Sequence, residues 1–137
     1  MVKRIAHVGI TTRSIAVTAE FYKSLGLDMD AIEIVEDQKV KVAVMEVGDS
    51  AIELIEPTDD DSPIQRSIEA RGEGIHHITF EVEDLEKQLK ALKERNIKLI
   101  DDKPRPGAEG CLIAFVHPDS TGGVLVELSQ SPAGESS

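Results

Sequence analysis

The chain has 137 residues, with 15 Lys plus Arg against 26 Asp plus Glu and a formal charge of -11 at pH 7. At this size one domain can bury roughly two thirds of the surface its unfolded form exposes, enough for a core without staples. Disulfides within the chain are excluded because Cys111 is its only cysteine, and a lone thiol with no leader-like start fits a reducing, cytoplasmic setting. No apolar run reaches the roughly 18 to 20 residues of a membrane span, so no membrane partner is expected. The acidic balance repels phosphate backbones, and only Phe21, Tyr22, Phe80 and Phe115 could stack on bases, so nucleic acid is not expected either. Any anionic substrate must find its positive field locally.

In chain order the hydrophobic period changes from strand to helix and back, twice. Ile5 to Ile10 reads as a strand, followed by a helix with Ile15, Ala19, Tyr22 and Leu25 on one side, stopped by Gly26. A strand is expected near Met29 to Val35. Val40 to Val47 then alternates into the Gly48-Asp49-Ser50 turn, with Ala51 to Ile55 as the return strand. Pro57 to Gly74 is a connector with an acidic Asp59-Asp60-Asp61 run and a short helix after Ser62-Pro63. The second pass begins with the strand Ile75 to Phe80. Asp84 caps a helix carrying Leu85, Leu89 and Leu92, and Asn96 stands where Gly26 stood. A strand near Ile97 to Asp101, another over Cys111 to Val116, the turn around His117-Pro118, and a last strand at Val124 to Leu128 complete it. Both His77 and Asn96 lie 70 residues after their counterparts His7 and Gly26. Gly and Asn are the residues that best accept the left-handed end of a helix.

The fold class is therefore α+β, two tandem βαβββ modules forming a curved mixed sheet around a metal-containing cleft. One domain is expected over 1–130, with modules at about 1–57 and 74–130, a linker with a short helix at about 58–73, and a flexible tail at 131–137.

The repeat turns four polar residues into a constellation. His7 and His77 occupy the first strand of each module, and Glu53 and Glu127 the last, in the parallel phrases Ile52-Glu53-Leu54 and Val126-Glu127-Leu128. A single glutamate between aliphatics is most simply an outward-facing residue. Solvation does not, however, require matched residue types at matched places. A divalent cation makes two carboxylates and two imidazoles mutually tolerable in an enclosed setting. Two nitrogens and two oxygens suit Co, Mn, Ni, Fe or Zn, and four ligands leave places open for a bidentate oxygen substrate. His76 must point away from His77, His117 reads as a turn residue, and Cys111 as a small core residue.

The duplicated pattern resembles the vicinal oxygen chelate, or glyoxalase-like, superfamily, and within it the methylmalonyl-CoA epimerase family. The likeness rests on Ala6-His7-Val8-Gly9-Ile10, Gln38 to Val42, Ile52 to Pro57, Asp61 to Ile64, Gly74 to Ile78, His117-Pro118 and Gly122 to Leu128, and spans nearly the whole chain. It implies an isomerase of propionate metabolism that interconverts (2R)- and (2S)-methylmalonyl-CoA by α-proton abstraction and reprotonation through an enolate. It further implies a divalent metal on His7, Glu53, His77 and Glu127, no redox or organic cofactor, an acyl-CoA substrate and a homodimer. Glu127 is the candidate base. Some relatives carry a second glutamate where this chain has Val42, which leaves Lys41 and a water at the ion as choices for the second group. Lys103 and Arg105 are candidates for the CoA phosphates. The alternatives are a glyoxalase-like metal-dependent isomerase or lyase, and a non-catalytic small-molecule-binding protein of the same fold. The absence of Trp disfavours the last of these.

Overall fold

A computed structural model of the chain describes residues 1–133, so residues 134–137 of the expected flexible tail lie outside the described part. The elements are β1 (Val2–Thr11), α1 (Ile15–Ser24), β2 (Glu33–Val35), β3 (Val40–Val47), β4 (Ser50–Pro57), α2 (Pro63–Arg71), β5 (Gly74–Val82), α3 (Leu85–Glu94), β6 (Arg105–Pro106), β7 (Leu112–Val116) and β8 (Leu125–Gln130). Among the described residues no helix is long and apolar enough to cross a membrane.

Two compact units divide the chain: His7–His76, and Met1–Ala6 together with His77 onward. In the first, the strands run β2-β3-β4-β1, antiparallel except for the parallel pair β1 and β4. The second repeats this as β6-β7-β8-β5, with β5 and β8 parallel. One helix in each unit packs an aliphatic core on the sheet, and in the first unit α2 also contacts β4 and buries Ile68. Ile15 and Ala19 of α1 pack on Ala43, Met45 and Leu54. Leu85 and Leu89 of α3 pack on Ala114, Val116 and Leu128.

The same devices start and stop both helices. Ser14 Oγ accepts from Val17 N at 3.2 Å, and Asp84 Oδ1 from Lys87 N at 3.1 Å, satisfying donors that the first turn leaves open. The end of each last strand adds a second acceptor. Glu56 Oε1 takes the Ile15 N–H at 2.8 Å, and Gln130 Oε1 the Leu85 N–H at 2.7 Å. Gly26 at φ 92° and Asn96 at φ 59° close the helices in the left-handed conformation, as their types predict.

The strand expected at Ile97 to Asp101 is reduced to one bridge, Leu99 with Val116. Asp101 is responsible in part: its Oδ2 accepts the Phe115 N–H at 2.8 Å, so a side chain takes a donor that a neighbouring strand would use.

In the second unit Glu81 is buried on β5, where Arg4 Nε donates to its Oε1 at 2.9 Å and Lys3 Nζ lies 3.1 Å from Oε2. Burial works to raise its pKa, but the hydrogen bonds and charges of Lys3 and Arg4 prevail and hold it below the ordinary carboxylate value. Because the folded pKa is the lower one, this contribution is present above the unfolded pKa and is lost as pH falls through the folded value. Urea unfolding should show Glu81→Gln destabilised by about 2 kcal/mol at pH 7, the scale of lost hydrogen bonds to a charged group, with the gap closing in acid. At the α3 end, Asn96→Gly should be nearly neutral and Asn96→Ala destabilising by about 1 kcal/mol. Equal effects would mean that the left-handed turn is not what selects Asn.

Candidate metal centre

Strand register builds a His–Glu pair in each unit. In the first, β1 lies parallel to β4 with Gly9 opposite Glu53. His7, two residues before Gly9, projects to the same face, and its Nδ1 lies 3.4 Å from Glu53 Oε2. In the second, β5 lies parallel to β8 with Thr79 opposite Glu127. His77, two residues before Thr79, brings its Nε2 to 3.8 Å from Glu127 Oε1. The latter separation exceeds a hydrogen bond. Next along each last strand, Leu54 and Leu128 turn the other way, into the helix-packed cores.

The two pairs differ in one respect. Thr79 Oγ1 donates to Glu127 Oε1 at 2.6 Å, whereas Gly9, in the matching place, has no side chain to offer Glu53. Burial raises the Glu127 pKa, partly countered by the Thr79 hydrogen bond and the positive charge of Arg105. The Glu127 carboxylate is thus more basic than usual and fixed at one oxygen. Thr79 was not among the residues picked from sequence, although a period of two from His77 points to it.

Each pair offers an imidazole nitrogen and a carboxylate oxygen suited to ligating a metal. The donor set of imidazole nitrogen and carboxylate oxygen fits a divalent transition ion without thiolates. Of the cationic candidates, Lys41 and Lys103 lie away from the His–Glu pairs, whereas Arg105 acts on Glu127. Lys41 is opposite Glu56 in the β3–β4 register, its Nζ 3.6 Å from Glu56 Oε2, on the face that carries α1. Val42 and Val44, opposite Ile55 and Glu53, share the Glu53 face. The structure therefore brings Lys41 to the helix cap and puts aliphatic side chains beside Glu53. Lys103 and Arg105 also part company. Lys103 lines a groove against α3 with Lys90 and Lys93, while the Arg105 guanidinium lies 5.3 Å from the centre of the Phe115 ring and pairs with Asp101 at 3.3 Å. Phe115 is opposite Glu127 across β7 and β8, which explains the influence of Arg105 on that carboxylate.

The remaining histidines do not join the pairs. Burial lowers the pKa of His76, with Arg71 adding to the effect. His117 Nδ1 accepts from Asp119 N at 3.0 Å and so closes the turn after β7.

Residues 6–115 match the glyoxalase/bleomycin resistance protein/dioxygenase superfamily. The chain is 46% identical over 133 residues to the uncharacterized protein YqjC of Bacillus subtilis, covering 96% of this chain and 94% of that one. It is 35% identical to the ethylmalonyl-CoA/methylmalonyl-CoA epimerase of Cereibacter sphaeroides, covering 95% of this chain and 99% of the relative. A solved methylmalonyl-CoA epimerase in complex with methylmalonyl-CoA and NH4+ superposes with a TM-score of 0.84 at 34% identity, over 100% of both chains. The chain therefore belongs to the glyoxalase/bleomycin resistance protein/dioxygenase superfamily and is a homologue of the methylmalonyl-CoA epimerases.

Proposed function

We propose that the chain is a metal-dependent epimerase that inverts the α-carbon of methylmalonyl-CoA, with His7, Glu53, His77 and Glu127 together holding one divalent cation. The observation that carries this reading is the duplicated pairing of His and Glu on matched strands, 3.4 Å apart in one unit and 3.8 Å in the other. Relatives bearing the epimerase name, at full-length coverage, lend the substrate class.

The carbon to be inverted lies between a thioester carbonyl and a carboxylate, so loss of its proton gives an enolate. A bound divalent ion would supply positive charge where that negative charge develops. The chain's own part is proton transfer. Glu127 takes the α-proton, and Thr79 holds the carboxylate in position while it does so. Inversion then requires a proton on the opposite face. On the Glu53 face, Val42 and Val44 of β3 are the residues opposite Ile55 and Glu53 and carry no proton to return, and in this scheme a solvent water supplies it. Lys41, tied to Glu56 on the helix side, has no part in this scheme. Aliphatic neighbours beside Glu53 also suit a substrate whose α-substituent is a methyl group.

Incubation of (2R)- or (2S)-methylmalonyl-CoA with metal-loaded protein in heavy water should replace the α-proton with deuterium and remove optical activity, while a chelated control does neither. No exchange above that control overturns the assignment. His7→Ala and His77→Ala should each lose bound metal and at least 100-fold in kcat/KM, whereas His117→Ala stays within about threefold. Thr79→Val should keep the metal but reduce kcat by about 10- to 100-fold, the range for removing a partner that orients a ligand. Full activity in Thr79→Val would remove the positioning role.

A further inference from the structure

Strand register leads from Glu127 to a cation on its own face. Phe115 of β7 is opposite Glu127, Ile113 lies one pleat along β7, and Arg105 of β6 is opposite Ile113. With a side-chain period of two, Ile113, Phe115 and Arg105 share the Glu127 face, while Ala114 and Val116 pack on α3. β6 is two strands from β8, roughly 10 Å in the backbone, and the Arg105 guanidinium spans part of that gap by lying over the Phe115 ring, 5.3 Å from its centre. The same steps taken from Glu53, through Val44 and Val42 and across to β2, end on Glu33. The fold thus accepts either charge at this place, and the two units carry opposite ones.

Several contacts hold Arg105 in place. Pro104 and Pro106 flank it, and a residue before proline is biased to extended backbone. A Cβ on Gly107 would lie 2.7 Å from Ile113 Cγ2, so glycine lets this segment lie close against β7. Asp101 Oδ1 meets Arg105 Nε at 3.3 Å, and Asp101 is itself fixed because its Oδ2 accepts the Phe115 N–H. An arginine held at Nε still has its two terminal nitrogens to offer, and that fork matches a carboxylate. The side chain is 53% exposed, so a ligand can reach it. The occupant follows from the chemistry at Glu127, and here the argument rests on the epimerase reading. Glu127 takes the proton of the carbon that bears the substrate's free carboxylate, so that carboxylate lies beside Glu127, whereas the CoA phosphates lie at the far end of the pantetheine arm. Arg105, whose charge acts at Glu127, is placed for the nearer group. We infer that Arg105 recognises the free carboxylate of the acyl group and so selects α-carboxylated thioesters over plain acyl-CoA.

Malonyl-CoA and acetyl-CoA differ by that carboxylate alone. Calorimetric titration of the Co-loaded full-length chain should give tighter binding of malonyl-CoA than of acetyl-CoA. Arg105→Gln should weaken malonyl-CoA by about 10-fold or more, the scale of lost charge-assisted hydrogen bonds, and leave acetyl-CoA within about twofold, which also shows the fold intact. Arg105→Lys should fall between the two, keeping the charge and losing the fork. Equal weakening of both thioesters would put Arg105 at the CoA phosphates and overturn the inference, as would an unchanged malonyl-CoA affinity or a parent chain that binds both alike. The heavy-water assay separates this result from the reading it rests on. Exchange in a chain whose malonyl-CoA affinity ignores Arg105→Gln removes the carboxylate role and keeps the epimerase, and Arg105-dependent selection in a chain without exchange does the reverse.

Discussion

In each unit the first strand runs parallel to the last, and the candidate centre depends on that pairing. Gly9 opposite Glu53, and Thr79 opposite Glu127, put each histidine one pleat before its glutamate on the same face. A slip of one residue would turn the glutamates towards α1 and α3 and the leucines towards the other side. The buried Leu54 and Leu128 oppose that slip, because the aliphatic cores would lose them and gain uncompensated carboxylates. The residues that hold the core therefore also fix the position of the His and Glu side chains of each pair.

Duplication supplies the matched pairs, and the departures from it supply the chemistry. Thr79 gives Glu127 a hydrogen-bond donor that Gly9 cannot give Glu53. On the proposed scheme both glutamates serve as ligands, and Glu127 is in addition the one oriented for proton transfer. The helices diverge in the same manner: cores and caps agree, but Val17, Phe21 and Leu25 of α1 and its cap stand exposed where α3 and its cap carry Lys87, Ala91 and Arg95. The net charge of -11 is no obstacle to a carboxylate-bearing substrate under this scheme, since two of the acids are assigned to a cation that would attract it.

Much of this was legible in the sequence because the repeat amplified weak signals. Helix ends at Gly26 and Asn96, the Asp84 cap and the hairpin between β3 and β4 followed from residue types whose local conformations are restrictive. The His–Glu pairs followed from a side-chain period of two applied twice. Features set by partners distant in sequence did not follow. Asp101 replaces strand pairing with a side-chain bond to Phe115, and the caps supplied by Glu56 and Gln130 come from strands 41 and 45 residues away. Lys41 had to be placed by register, which sent it to Glu56 on the helix side. Burial alone distinguishes Glu127 from an ordinary surface carboxylate, and burial of one residue in a strand is a property of the assembled sheet.

That two His–Glu pairs serve a single cation is tested most directly by metal stoichiometry. Calorimetric titration of the metal-free chain with Co or Mn, checked by elemental analysis after dialysis, should give one ion per chain. Glu53→Gln and Glu127→Gln should each weaken that one site. Two ions per chain, with each glutamine substitution removing only one of them, would show that the pairs act separately and would contradict the shared centre.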